Sequence, residues 1–184
     1  MGKEDANFEV VRTMLEMHAR PSRPLARPPS LRKPVMLLRA EQPTISFYRY
    51  LYNTIGRQWF WYERRVMDDA TLAACIHDAA VAVNVLYVGG VPAGLAEIDA
   101  REIRDIELAY IGLIPEFIGR GLGRYLVDWA IDAAWDREPD RIWIHTCTLD
   151  HPAALPLYQK AGFTPYAQNR FKIPDPRKMA CFAD

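Results

Sequence analysis

Residues Glu107–Gly123 read ELAYIGLIPEFIGRGLG, an apolar strand that runs into a loop with glycines at 119, 121 and 123 and then into a long helical pattern. The start of a helix leaves four backbone N–H groups without intrahelical partners, at the positive end of its dipole. The segment therefore offers a ready anion site. One carboxylate, Glu107, stands on the strand that leads into it. Together they suggest a phosphate-bearing cofactor held beside a candidate base.

The glycine spacing narrows the ligand. A dinucleotide fingerprint requires GxGxxG, but after Gly119 and Gly121 the third position is Arg124, and no βαβ repeat surrounds it. A P-loop requires Gly-Lys followed by Ser or Thr, which the stretch lacks. A pyrophosphate loop of the acyl-CoA type remains, alongside a plain tight turn.

The surrounding chain reads as one α/β domain. With 184 residues, half of them hydrophobic, there is material for a full core. A formal net charge of zero gives no global field for nucleic acid or an anionic membrane. No apolar run approaches the roughly 20 residues that span a bilayer. Cys75, Cys147 and Cys181 are widely spaced and form no CxxC pair, which favours a reducing compartment over a disulfide framework or a zinc site. The expected setting is the cytoplasm. His145 and Cys147 alternate on one strand face, but two ligands make a poor metal site, so no metal is expected.

Outward from the glycine loop, Phe8–Met17 reads as a strand, with a helix as the alternative. Between Arg20 and Arg39 stand five prolines, five arginines and a lysine, with no acidic residue. Such a segment is extended, either as an arm across the domain surface or as a docking segment for a partner or anionic substrate. The expected division is residues 1–33 as an N-terminal strand and Pro/Arg-rich arm, and 34–184 as the main domain. There PVMLLRA reads as a strand, ISFYRYLYNTIG as a helix stopped by Gly56, and DDATLAACIHD as a helix capped by Asp68 or Asp69. VAVNVLYV and VPAGLAEIDA form a hairpin turned by Gly89 and Gly90. In the long helix Arg124, Asp128, Asp132 and Asp136 form one polar stripe, and the remaining apolar surface demands cover on two sides. The second cover is the arm or a twin subunit, which leaves a homodimer open. RIWIHTCTL reads as a strand, HPAALPLYQKAG as a short helix that Pro156 should kink, and FTPYAQNRFKI as the last strand.

Two motifs then carry a resemblance. Ile118, Gly119, Arg120, Gly121, Leu122 and Gly123 precede the long helix, and His151, Ala154, Leu157, Tyr158, Gly162 and Phe163 form a second frame downstream. Over residues 34 to 170, in element order and in motifs, the chain resembles the GNAT superfamily of acetyl-CoA-dependent N-acetyltransferases. Ile118 stands where the family carries Arg or Gln, and His151 where it carries Asn. The resemblance implies a GNAT fold of α/β (α+β) type, with a mixed, mostly antiparallel six- to seven-stranded sheet flanked by about four helices.

It also implies roles. The backbone of Ile111, Gly112 and Leu113 would line the pantetheine arm of acetyl-CoA, with an N–H near Leu113 polarising the acetyl carbonyl. The Ile118–Arg124 loop would hold the pyrophosphate through backbone N–H groups, with Arg120 and Arg124 adding charge-assisted contacts. His151 would cap the short helix or touch the cofactor. Glu107, eleven residues before Ile118, occupies the place of the family's strand-borne glutamate base; a glutamate turned to solvent or to an arginine is the alternative. Glu97 is the reserve, and His145 is a second base or an ordinary strand histidine. Tyr158 would protonate the departing thiolate, because a phenol of pKa about 10 is a protonated donor at neutral pH.

The acceptor should lie opposite the cofactor, near the aromatic run Tyr48, Tyr52, Trp59, Phe60, Trp61 and Tyr62. Some of these rings must be core, while Trp59 and Trp61 could face an amine and Glu63 could add charge. The expected activity is direct acetyl transfer to a primary amine of a small molecule or a peptide. A CoA-binding module without turnover and transfer to oxygen are the alternatives.

Overall fold

The structure, a computed structural model, describes residues 8–182; the ends of the two expected regions, residues 1–7 and 183–184, lie outside the described residues. Seven strands form one sheet in the order β2-β3-β4-β5-β6-β1-β7. They are β1 (Phe8–Met17), β2 (Val35–Arg39), β3 (Val81–Val88), β4 (Val91–Asp99), β5 (Asp105–Leu113), β6 (Arg141–Cys147) and β7 (Thr164–Ile173). All neighbours are antiparallel except β5 and β6. Helices α1 (Ile45–Gly56) and α2 (Asp69–Ile76) pack on one face, and α3 (Leu122–Trp135) and α4 (Ala154–Ala161) on the other. The mixed, mostly antiparallel sheet with four α-helices is the architecture expected.

Local chemistry fixes the element ends. The Thr44 hydroxyl accepts the Phe47 N–H at 3.3 Å to start α1, and Asp68 accepts the Thr71 N–H at 2.7 Å to start α2. Gly89 and Gly90 both take positive φ in the β3–β4 hairpin. Gly162, at φ 110°, ends α4 in the left-handed conformation.

Gly56 ends α1 as expected, but without the left-handed conformation of a glycine cap. Its φ is −85°, α1 passes into a 3₁₀ turn over Arg57–Trp59, and the left-handed residue is Phe60. Gly56 is needed for space, since a Cβ there would stand 2.4 Å from the Trp61 Cβ. Pro156 differs from its expected role. It is the third residue of α4, where backbone N–H groups have no helical partner, so it removes no hydrogen bond and requires no kink.

The N-terminal segment is built into the fold at two places. β1 inserts between β6 and β7. The arm then lies along α3, on the polar stripe. Asp132, buried, accepts the Ala26 N–H at 2.8 Å and an Arg23 N–H at 3.1 Å, while Arg23 also donates to the Asp128 carbonyl at 2.9 Å. Arg20 pairs with Asp136 at 2.8 Å. The arm thus meets the polar stripe of α3, and not the apolar surface for which the helix pattern required a second cover.

Two irregularities position the site. The parallel β5–β6 ladder pairs Asp105–Arg141, Ile106–Ile142 and Glu107–Trp143 and goes no further, although β5 continues to Leu113 and β6 to Cys147. Beyond Glu107 the strands splay into a wedge. In the β4–β5 ladder Glu97 pairs with Tyr110 and Ile98 with Leu108, which leaves Ala109 as a bulge. The bulge reverses the alternation of β5, so Glu107 and Tyr110 share the α1 face while Leu108, Ile111 and Leu113 pack toward α3.

Replacing Asp132 by Ala should unclamp the arm. The expected loss is about 1–3 kcal/mol of unfolding free energy, as for removal of one partner from buried hydrogen bonds. Urea denaturation measures it, and faster tryptic cleavage after Arg32 should accompany it, since Arg20, Arg23 and Arg27 are each shielded by a following proline.

Candidate active site

A cavity of about 260 Å³ runs through the wedge. Ile118, Gly119 and Gly123 stand at one end, the free edge of β5 from Leu108 to Leu113 along the middle, and Arg12, Glu63, His145 and Phe171 at the other. Tyr158, Leu157 and His151 close it from the α4 side.

The glycine end exposes the backbone of a helix start. Gly119 and Gly121 have φ of 81° and 78°, and a Cβ at Gly119 would meet nothing within 4 Å. α3 runs 14 residues from Leu122, and its first intrahelical acceptor is the Gly121 carbonyl, bonded by Tyr125. The N–H groups ahead of Tyr125 are the open ones. Arg120 and Arg124, expected to reach a phosphate, are engaged elsewhere. Arg120 donates to the Glu116 carbonyl at 2.8 Å, and Arg124 to Asp128 at 2.6 Å and the Lys160 carbonyl at 3.4 Å. Ile118, at the irregular family position, is exposed beside the cavity.

The middle of the cavity is shaped by Trp61. Its ring packs against Tyr52 and Tyr110, with both centroids 5.3 Å away, and its indole N–H donates to Asp150 at 3.2 Å. Two glycines make room for it. Besides Gly56, a Cβ on Gly112 would approach Ile55 Cγ2 to 2.3 Å and Trp61 Cη2 to 3.1 Å. Asp150 also accepts the Cys147 N–H at 2.7 Å and the Thr146 hydroxyl at 2.9 Å, which fixes the turn after β6. Next to it, His151 Nδ1 accepts the Ala153 N–H at 3.0 Å and its ring packs on Trp59 at 5.0 Å. His151 thus fixes the turn ahead of α4, whose start has no side-chain cap, and it also lines the cavity. The loop Trp59–Glu63 thereby bridges α1 to the β6–α4 turn across the cavity. Tyr48 and Tyr52 are core, as part of the aromatic run had to be.

Glu107 sits at the crotch of the wedge, on the last paired position, with its side chain three-quarters buried. Burial, reinforced by the negative charges of Asp99 and Glu97 and opposed by Arg64, lifts its carboxyl to about 7. His145 Nε2 lies 3.8 Å from Glu107 Oε1, close but beyond hydrogen-bond distance. His145 lines the cavity while Glu107 stands directly behind it. Burial and the Arg12 charge hold the imidazole below its usual range, so it is neutral at pH 7. Burial and Asp150 push the Cys147 thiol up to about 11, which keeps it protonated and a poor nucleophile. Burial likewise raises the Tyr158 phenol, whose ring meets Phe163 edge-on.

Glu97, the reserve base, is excluded by its surroundings. Its carboxylate has no exposed surface, accepts the Tyr48 hydroxyl at 2.5 Å and pairs with Arg64 at 2.6 Å. Arg64 in turn packs over the Tyr110 ring at 5.2 Å. Sequence reasoning missed Arg64, Tyr110 and Arg12 as parts of the site. Glu97 was the available signal, because a carboxylate inside the apolar run of β4 requires a buried cation somewhere in the chain. Among the described residues no three His, Cys, Asp or Glu side chains gather as a metal site, and no helix is long and apolar enough to cross a membrane.

Comparison with known proteins agrees with the fold. Residues 47–163, more than half of the chain, match the model of the acetyltransferase (GNAT) family. A GCN5-related N-acetyltransferase from Sphaerobacter thermophilus superposes with a TM-score of 0.66 at 12% identity, over 90% of this chain and 52% of that one. The ribosomal-protein-S18-alanine N-acetyltransferase from Escherichia coli gives 0.58 at 19% identity, over 72% and 79%. An aminoglycoside acetyltransferase from an uncultured soil metagenomic sample gives 0.56 at 10% identity, over 70% and 87%. At these identities the likeness is one of fold. The chain spans 52% to 63% of the length of five of the matched structures. No curated protein matches it by sequence.

Replacing Arg64 by Met leaves Glu97 buried without its cation. The expected cost is about 3–5 kcal/mol of unfolding free energy, read from the urea midpoint at unchanged slope.

Proposed function

The chain belongs to the GNAT acetyltransferase family, and on that premise we propose that it transfers an acetyl group from acetyl-CoA to a primary amine by direct attack. The observation that carries this reading is the coincidence, in one cavity, of open N–H groups at a helix start, an unpaired strand edge and His145, behind which stands a carboxyl lifted to about 7. Acetyl-CoA as co-substrate supplies the activated acyl thioester. The residues present fit it. The open N–H groups at the start of α3 suit a pyrophosphate, and the unpaired edge of β5 suits amide groups of an extended arm.

In this reading the backbone N–H groups near Leu113 polarise the thioester carbonyl. An alkylamine of pKa about 10 reaches the site protonated and must lose a proton before it attacks. The Glu107–His145 pair takes that proton, with Glu107 as the group whose affinity for it suits neutral pH. The amine nitrogen forms its bond to the acyl carbon, the carbon–sulfur bond breaks, Tyr158 gives its proton to the thiolate, and the second proton shed by the nitrogen restores the Tyr158 phenol. The thioester therefore ends as an amide and a free thiol, with no net change of oxidation state. Cys147, held as a thiol, is unsuited to carry the acetyl group in a covalent relay, which favours the ternary route. A module that binds CoA without turnover is the second reading, favoured by Ile118 and His151 at two positions where the family motif differs.

Thiol release from acetyl-CoA, recorded with a panel of amines and alcohols, separates these readings. Amine-dependent release that falls roughly 100-fold in Tyr158→Phe supports transfer to nitrogen. CoA binding without release on any acceptor supports the silent module.

The pH dependence follows from Glu107. Its folded-state pKa is raised, and only the deprotonated form accepts a proton, so kcat/KM should rise through about pH 7. Activity is lost below that value. The inflection near pH 7 should vanish in Glu107→Gln, measured against an acceptor whose own titration lies well above it.

A further inference from the structure

The acceptor end of the cavity contains a guanidinium with unused donors. Arg12 projects from β1 into the cavity and pairs with Cys147 on β6, so His145, two residues back, is its diagonal neighbour on the same face. Diagonal neighbours stand about 7–8 Å apart, within the reach of a small bifunctional molecule. One Nη of Arg12 lies 3.4 Å from Glu63 Oε1, at the long limit of a hydrogen bond, and the other Glu63 oxygen accepts the Tyr110 hydroxyl at 2.7 Å. The Arg12 Nε is buried and has no hydrogen-bond partner. A buried donor on a charged group is expensive to leave unsatisfied, so the side chain is poorly compensated as it stands, and its Nη groups, of which only one has even a long bond among the described residues, match a carboxylate. The guanidinium lies 5.2 Å over the Phe171 ring, which orients its plane. Phe60, Trp61 and Tyr62 line the same cavity and suit an apolar side chain.

We infer that the acceptor is an amine that carries a carboxylate, an amino acid with an apolar side chain, whose carboxylate is held by Arg12 while its amine reaches the Glu107–His145 pair. The inference rests on the acetyl-transfer reading above and names the substrate class for it. Glu63 stands beside Arg12 as the counter-charge for the incoming ammonium. A diamine would bring its second cation against the guanidinium, and a peptide N-terminus has no carboxylate next to its amine.

The test compares L-leucine, L-phenylalanine and L-methionine with their C-terminal amides as acceptors. Each pair differs in the carboxylate and, through it, in the basicity of the amine, so kcat/KM is compared per concentration of free amine. The free acids should be preferred in kcat/KM by at least about 10-fold, as expected for a charge-assisted bidentate contact. In Arg12→Met the preference should fall to near unity, chiefly through KM for the acid. Arg12→Lys should restore part of it, and acetyl-CoA affinity measured on both variants reports that they fold. Amides used as well as acids, or an unchanged preference in Arg12→Met, would overturn the inference. Absence of thiol release with every amine would instead overturn the transfer reading. Calorimetric titration of the same acids and amides into the protein–CoA complex then decides the inference alone. Acid binding that is lost in Arg12→Met sustains it, and equal binding of acids and amides, or none, sinks it.

Discussion

The parallel ladder between β5 and β6 stops at Glu107–Trp143, and the rest of the site depends on that stop. Had the pairing continued, β5 would present no free edge and the sheet would enclose no cavity. Because it stops, six residues of β5, Leu108 to Leu113, run on without a β6 partner along a cleft between two halves of the sheet. Backbone groups in such a position require partners of another kind. The bulge at Ala109 turns Tyr110 toward α1 at the level where the strands part. β1, seated between β6 and β7, carries Arg12 to the far wall of the same cleft.

Electrostatics then grade the cavity from one end to the other. The start of α3 favours anions through backbone dipoles alone, since the two nearest arginines are spent on local bonds. At the crotch the field is negative. Asp99 and Glu97 lie near Glu107 and help burial to raise its pKa, and Arg64 only partly offsets them because it is committed to Glu97. The buried Arg64–Glu97 pair therefore acts on the site in two ways. It ties the Trp59–Glu63 region, through the neighbouring Arg64, to β4, and it sets the charge environment of the carboxyl. Trp61 is the mechanical counterpart, held by Tyr52, Tyr110 and Asp150 over two glycines that leave space for nothing larger than hydrogen.

Much of this was legible in the chain itself, where local chemistry decides. Period and turn residues match the strands and helices, Asp68 marks the start of α2, and the glycines at 119, 121 and 123 mark the loop into α3. What the chain hides depends on distant partners. Gly56 does end α1, but tertiary contact with Trp61, and not a left-handed cap, decides that position. Pro156 was read as a kink because its place within the first turn of α4 depends on where the helix begins. Arg64 and Arg12 gave no local signal, since each matters only through a partner distant in sequence, Glu97 and Glu63. The partners of Asp132 and Asp136 lie more than 100 residues earlier, in the arm, so the stripe alone gives no sign of them.

The central claim is that the wedge between β5 and β6 is the acyl-donor site, and the position of CoA in a crystal structure of its complex tests it most directly. The account predicts the pyrophosphate on the N–H groups at the start of α3, the pantetheine along the free edge of β5, and the sulfur beside the Tyr158 hydroxyl. CoA bound outside the wedge, or with its sulfur turned away from Tyr158, would contradict it.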